Sequence, residues 1–332
     1  MTRICIREPR SVFVKRAILL SGAAACAILT GAAQSRANIN ITPTFDPTIT
    51  ADPNASTIES TVNTVIQTFQ NDIGTNINVS ILFKEDPNID LGQSSTYTTT
   101  ESYTDYRAAL QSHATTADDF LALVHLPVPT PANPNNPVNN ATPDIGITLP
   151  LARALGFNPY TVQFDSTVSL NTTQMNLSRT GTQDPSKYDL FATAAHEIDE
   201  VLGTSSNLDH NNSPSTSAVN AADLFRYDAS GNRIYSTDPS AVSYFSIDGT
   251  TKISQYNQDP GGDLGDWFSV NGGQTPQVQD AFATAGAQPN LGNELRVLDV
   301  VGYTPASVPE PASLGLAGLS ALCLLARRRR TA

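Results

Sequence analysis

Cysteine is scarce in this chain, and its absence from the central region excludes several kinds of site. The only three cysteines, Cys5, Cys26 and Cys323, lie near the two ends, so residues 38–308 contain none. Disulfides, thiolate metal ligands and a cysteine nucleophile are therefore excluded from that region. It also lacks a Gly-x-Ser-x-Gly sequence, which argues against the nucleophile elbow of a serine hydrolase.

Basic residues are also few in the central region. Nine of the 19 lysines and arginines fall within 38–308, against 29 of the 31 aspartates and glutamates. The resulting net charge of about −20 keeps an exported protein soluble and repels a phosphate backbone. We therefore expect no nucleic-acid partner.

The N-terminal 37 residues have the pattern of a secretory signal peptide. A basic segment precedes the uncharged, largely apolar stretch 17–33, and Ser35-Arg36-Ala37 supplies the small-x-small cleavage pattern. The basic residues are Arg3, Arg7, Arg10, Lys15 and Arg16. This pattern predicts a signal peptide over 1–37 and a folded domain over 38–305.

The C-terminal residues 306–332 carry a second targeting pattern. Val308-Pro309-Glu310-Pro311 precedes the apolar segment 312–326, which is short for a span of about 20 residues. Arg327 to Arg330 then act as a cytoplasmic stop under the positive-inside rule. These three parts, in this order, resemble the PEP-CTERM sorting signal. The resemblance implies an exosortase-type processing enzyme as a partner, membrane insertion before processing, and delivery to the cell surface, outer envelope or extracellular matrix. A plain C-terminal transmembrane anchor is the alternative, with the same compartment.

Helix and strand patterns are mixed along the central region. Apolar alternation over 77–83 predicts a half-buried strand, and helical periodicity is present over 103–111, 117–124 and 293–301. Asp184-Pro185 predicts the start of a further helix that ends at Leu202, before Gly203. Hairpin patterns follow from Leu224. We predict a single α+β domain with a mixed sheet, an active-site helix, C-terminal hairpins and a closing helix.

The helix that ends at Leu202 carries the residues with the clearest chemistry. His196 and Glu200 are four residues apart, so their side chains project from one face and both reach one metal ion. Imidazole and carboxylate are acceptable zinc ligands when a third ligand and a water complete the site. Glu197 would then lie beside that water and act as the general base of a hydrolysis.

This segment resembles the start of the metzincin zinc-protease signature, His-Glu-x-x-His-x-x-Gly. The chain has His196-Glu197-x-x-Glu200-x-x-Gly203. The resemblance implies a zincin-like fold, a Zn²⁺ cofactor, hydrolysis of peptide bonds in protein substrates, and an edge strand above the cleft, which Thr167 to Asn171 fits. The wider run through 223–227, 244–249 and 262–267 is similar to secreted metalloproteases that carry PEP-CTERM signals.

The chain departs from the metzincin pattern at three points. Glu200 replaces the second histidine, Ser206 stands where the third ligand is expected, and no methionine follows the motif. His210 and Asp223 are the nearest replacements for the third ligand, and the sequence does not choose between them.

Two further alternatives stay open at this stage. Asp259, Asp263 and Asp266, spaced among glycines, either bind Ca²⁺ through oxygen ligands or form ordinary Asp/Gly turns. For the whole protein, we expect a secreted zinc-dependent endopeptidase acting on extracellular or matrix protein. The alternative is a non-catalytic surface or exopolysaccharide-matrix protein on a degenerate zincin scaffold.

Overall fold

A four-stranded mixed sheet is the largest sheet of the domain. The computed structural model describes residues 38–129, 144–208, 219–269 and 274–306. The strands β1 (Asn40–Phe45), β2 (Asn78–Glu85), β3 (Gly92–Thr96) and β6 (Ser166–Leu170) lie in the order β1-β2-β6-β3. β1, β2 and β6 are parallel, whereas β3 pairs antiparallel with β6, with Gly92 opposite Leu170. β3 is therefore an edge strand.

Seven α-helices are present in the described residues. They are α1 (Pro47–Thr50), α2 (Ala55–Asp72), α3 (Tyr103–His113), α4 (Ala117–His125), α5 (Leu149–Ala154), α6 (Leu190–Leu202) and α7 (Asn293–Val301). α2 and α6 pack against each other, α2 on β1 and α6 on β3 and β6. Apolar side chains from both helices and from the sheet form one continuous buried core. α6 thus lies between this core and the edge strand.

Smaller sheets surround the main one. β4 (Thr98–Ser102), β5 (Asp144–Thr148) and β9 (Val219–Asn220) form one sheet, and β7 (Met175–Asn176) pairs with β8 (Tyr188–Asp189). β10 (Arg226–Tyr227), β11 (Tyr244–Phe245) and β12 (Ser254–Gln255) form an antiparallel meander. This mixture of helices and small mixed sheets confirms the predicted α+β class, and the zincin-like fold within that class stays a prediction.

The start of α6 differs from the predicted start. The Asp184 carboxylate accepts a hydrogen bond from the Ser186 N–H at 2.9 Å, which closes a turn rather than a helix. Asp189 is the N-cap, and its carboxylate accepts from the Ala192 N–H at 3.3 Å. The sequence predicts this capping role for Asp184, but continuous helical backbone follows only Asp189.

The prediction that Thr167 to Asn171 form an edge strand is also wrong. Thr167 to Leu170 belong to β6, which lies between β2 and β3 and is an interior strand. Its side chains at Val168 and Leu170 are fully buried. The edge position belongs to Gly92–Thr96, whose polar sequence gives no apolar alternation.

No helix in the described ranges is long and apolar enough to cross a membrane. The predicted signal peptide over 1–37 and the predicted apolar segment over 312–326 both lie outside these ranges.

Candidate metal centre

Helix α6 presents His196, Glu197 and Glu200 to a cleft and its apolar residues to the core, while Asp199 is fully buried and does not line the cleft. Phe191, Ile198 and Leu202 are buried, as the helical periodicity predicts. The helix ends at Gly203, whose φ of 128° is a conformation that other residues rarely adopt. One turn of this well-fixed helix carries His196, the Glu197 carboxyl and the Glu200 carboxyl.

Three side chains from two segments of the chain meet at this turn. His196 Nε2 lies 3.9 Å from Glu200 Oε1 and 3.5 Å from Asp266 Oδ1. All three atoms lie within 4.8 Å of one another, and no other group of potential metal ligands is as close in the described residues. The two residues predicted from their helical spacing are therefore adjacent in space, and Asp266 joins them.

The orientation of the His196 ring directs its Nε2 atom toward the cluster. His196 Nδ1 lies 3.0 Å from the carbonyl oxygen of Val278. Because a carbonyl only accepts, Nδ1 carries the proton in this bond. The Nε2 atom faces the two carboxylates, and in the neutral ring it would offer its lone pair to a metal ion there, as in histidines that bind metals.

The two carboxylates are held by neutral donors. The Ser94 hydroxyl on β3 donates to Glu200 Oε2 at 2.7 Å. The side-chain amide of Gln279 donates to Asp266 Oδ1 at 2.9 Å, and its nitrogen lies 3.3 Å from His196 Nε2. The Gln279 backbone N–H in turn donates to Glu294 Oε1 at 3.1 Å. These bonds fix the orientation of the carboxylates without neutralising their charge.

The loop that carries Asp266 is fixed by close packing and by a buried arginine. A side chain on Gly265 would come within 2.7 Å of the Ser206 backbone nitrogen, so only glycine allows this approach. Arg226 is fully buried, donates to the carbonyl oxygen of Leu264 and stacks on the Tyr256 ring at 4.0 Å. Asp266 therefore reaches the cleft from a rigid loop.

Glu197 lies beside the cluster in a space that a glycine creates. It is 4% exposed, and its Oε2 atom has no hydrogen-bond partner among the described residues. A methyl group on Gly92 would overlap Glu197 Oε1 and approach the Thr193 methyl carbon to 2.8 Å. The edge strand thus approaches α6 closely at this point because residue 92 has no side chain.

Burial and mutual charge interactions shift the pKa values of the groups in the cluster. Burial would lower the pKa of His196, but the charges of Asp266, Glu197 and Glu200 outweigh this effect and raise the pKa to about 10. Burial, with the charge of Glu200 next in size, raises the pKa of Glu197 well above its usual value. Burial also raises the pKa of Asp266 to about 7. Three buried carboxyl groups around one imidazole are stabilised by protons or by a cation.

The cluster lies in a cleft with a volume of about 1200 Å³. β3 and the segment before it form one wall, and α6 contributes Ala192, Thr193, His196, Glu197 and Glu200. The loops 260–266 and 276–284 form the opposite wall. The volume exceeds the range of about 300–1,000 Å³ that is common for small-molecule sites, so a longer ligand fits it.

The third member of the cluster is not one of the residues that the sequence favoured. Asp223 lies elsewhere: its carboxylate accepts from the Ser206 hydroxyl at 2.6 Å and faces Arg226 Nε at 3.8 Å. It also belongs to a 3-10 helix (Ala222–Phe225) rather than to a hairpin strand. His210, the other alternative, lies outside the described residues. Asp266 had a signal in the sequence, but only as a member of an Asp/Gly-rich run.

The turn interpretation fits the first aspartate of that run. Asp259 Oδ1 accepts from the Gly261 N–H at 2.8 Å, as an Asp/Gly turn requires. Calcium binding by Asp259, Asp263 and Asp266 stays a prediction.

Comparison with known proteins identifies the C-terminal segment. A family model described as the PEP-CTERM protein-sorting motif matches residues 307–330. This chain is sorted for export to the cell surface or envelope, and the motif implies processing by an exosortase-type enzyme. No curated protein and no solved structure matches the chain.

Proposed function

We propose that the domain is a zinc-dependent endopeptidase that acts outside the cytoplasm. The observation that carries this proposal is the meeting of His196 Nε2, Glu200 Oε1 and Asp266 Oδ1 within 4.8 Å in a large cleft. One imidazole nitrogen and two carboxylate oxygens are a suitable three-ligand set for a catalytic zinc site. Metal ligands normally make further hydrogen bonds to groups behind them. Here His196 Nδ1 donates to the Val278 carbonyl, the Ser94 hydroxyl donates to Glu200, and the Gln279 amide donates to Asp266.

Glu197 has the position and surroundings of a general base. A zinc ion in this cluster would supply Lewis acidity, which polarises a peptide carbonyl and acidifies water. The positive charge of the ion would lower the pKa of Glu197, which burial raises, so Glu197 would be ionised and would accept the proton of the water whose oxygen attacks the carbonyl carbon. When the carbon–nitrogen bond breaks, Glu197 gives that proton to the leaving nitrogen. Its free Oε2 atom and its low exposure support this role, since a buried carboxyl group holds a transferred proton readily.

A specific contact favours a second candidate, a non-catalytic surface or matrix protein. The Gln279 side-chain nitrogen lies near both His196 Nε2 and Asp266 Oδ1, so the cluster forms a connected hydrogen-bond network with no metal ion. In that case the same residues stabilise the packing of α6 against the loop 264–266. The two candidates differ in whether the protein retains metal.

Zinc content and proteolysis, measured on the same variants, distinguish the two candidates. We expect the wild type to retain about one zinc per chain after dialysis against a weak chelator, and His196→Ala and Asp266→Asn to lose it. Glu197→Gln should keep zinc, while cleavage of an unstructured protein falls by about 10²–10⁴-fold. Glu200→His should retain or tighten zinc, because imidazole is at least as good a ligand as carboxylate.

His113→Ala is the matched control, because His113 is exposed on α3 and does not line the cleft. It should change neither zinc content nor cleavage. Substoichiometric zinc in the wild type, unchanged in Glu200→His, would contradict the peptidase proposal and favour the surface protein. Loss of metal and activity in His113→Ala would show that the measurements report general destabilisation.

A further inference from the structure

The cleft is lined by many carboxyl groups, and His196 is the one basic side chain in its described lining. Besides Glu197, Glu200 and Asp266, its described walls include Asp90, Asp189, Asp263 and Asp280, whereas no lysine or arginine lines them. A cleft with charges of one sign and low-dielectric walls concentrates ligands of the opposite charge.

Some acidic groups outside the cleft are paired with cations, as in Arg153–Asp165 at 2.8 Å and Arg296–Asp118 at 2.8 Å. Others, such as Asp144, are exposed without an ion pair among the described residues, so a test of the cleft needs a control for the general acidic charge. Of the additional cleft aspartates, Asp189 is bound by Arg179 from outside the lining. Asp90 and Asp263 are exposed and have no ion pair among the described residues. Their charges therefore remain available to a ligand.

An aromatic ring lies beside one of these aspartates. Phe282 lines the cleft and is 38% exposed, so part of its ring is accessible to a ligand in the cleft. Its ring packs over Gly261 and Gly262, the two residues before Asp263, with Cζ 3.3 Å from the position of a methyl group on Gly262. An exposed ring face next to a carboxylate favours a lysine or arginine side chain, since the stem packs on the ring and the cation meets both groups.

We infer that the cleft selects peptide segments rich in lysine or arginine, with Asp263 and Phe282 binding a cationic side chain at the rim. The inference rests on the proposed function and specifies its substrate class. A cationic segment would complement the excess of carboxyl groups in the cleft walls. An acidic segment would meet unpaired carboxylates at Asp90 and Asp263.

Peptide binding to the Glu197→Gln protein tests this inference without requiring hydrolysis. The probes are two labelled, unstructured peptides of equal length, one with lysine and the other with glutamate at alternating positions, and affinity is read from fluorescence anisotropy. We expect the lysine peptide to bind at least about ten-fold more tightly at low salt, with the difference shrinking as salt is added. Asp263→Asn and Phe282→Ala, each combined with Glu197→Gln, should reduce the preference several-fold.

Asp144→Asn is the matched control, because Asp144 is exposed at the start of β5 and does not line the cleft. It removes the same charge, so a general effect of the acidic surface would appear equally in Asp144→Asn and Asp263→Asn and would overturn the inference. Equal binding of the two peptides would overturn it as well. Absence of zinc and of cleavage in the wild type overturns the peptidase proposal instead, and the binding preference is measured independently of that result.

Discussion

The position of Glu197, the proposed base, depends directly on Gly92. A methyl group there would overlap Glu197 Oε1 and crowd Thr193, and both of these residues sit on the rigid helix α6. The overlapping atoms are the ends of the Glu197 and Thr193 side chains, so a methyl group on residue 92 would force the Glu197 carboxyl to shift within the cleft that it lines.

We therefore expect Gly92→Ala to lower peptide hydrolysis by at least about ten-fold, since small misplacement of a catalytic group has a large effect on rate. Zinc content should change little, because His196 and Asp266 do not contact residue 92. Ser95→Ala is the control, because Ser95 lies on the same strand, its side chain is exposed and it does not line the cleft. Hydrolysis unchanged in Gly92→Ala, with zinc bound, would contradict the assignment of Glu197 as base.

The sequence predicts those residues of the candidate site whose relative positions are set by one helix, and it does not predict the residue that reaches the site from a distant loop. His196, Glu197 and Glu200 are predicted because one helical turn sets their relative positions. Asp266 is not, because its approach depends on tertiary features: the close packing at Gly265 and the buried Arg226 that holds Leu264. Neither of these tertiary contacts produces a recognisable pattern in the local sequence.

Among the secondary-structure elements, α4 and α7 share a buried acid whose ionisation affects stability. Asp299 on α7 is 6% exposed and accepts from the Thr116 hydroxyl, the N-cap of α4, at 2.8 Å. Burial, followed by the charge of Asp119, raises the pKa of Asp299 to about 7. The folded state then holds a proton that the unfolded chain releases above pH of about 4, so stability from this group falls as the pH rises from about 4 to 7.

Asp299→Asn should remove that pH dependence. Relative to the wild type, its free energy of unfolding should increase with pH by up to about 1.4 kcal/mol per unit between pH of about 4 and 7, and then level off. Denaturant unfolding at several pH values measures this difference. Asp144→Asn, an exposed change of the same charge, should show no comparable trend, and a flat difference for Asp299→Asn would contradict the raised pKa.

Helices and strands with a clear apolar periodicity in their own sequence are predicted well. Strands that form only through pairing with a neighbouring strand are not. The closing helix has its predicted bounds, Asn293–Val301, because apolar periodicity and Gly302 agree. β2 follows its apolar alternation at Val79, Ile81 and Phe83. β3 is missed because Gly92–Thr96 has no large apolar residue, and it becomes a strand through antiparallel pairing with β6 and the Ser94 bond to Glu200.

For the whole molecule, export places the chemistry of the domain in a particular compartment. The sorting motif over 307–330 directs the chain to the surface or envelope. Within residues 38–308 there is no cysteine, so the oxidising conditions met on export form no disulfide in the domain. Metal binding through nitrogen and oxygen ligands is compatible with the same conditions.

The four terminal arginines should decide how much of the protein reaches the surface. The apolar segment 312–326 is shorter than the roughly 20 residues of a comfortable span, so it depends on the flanking positive charge for retention and orientation. Deleting Arg327 to Arg330 should lower the processed, surface-associated fraction, measured by fractionation and immunoblotting in a host that has an exosortase. Replacing all four by lysine keeps the charge and should preserve sorting. Equal loss in the lysine variant would show that the processing enzyme recognises arginine itself, whereas normal sorting of the deletion would contradict the role of positive charge.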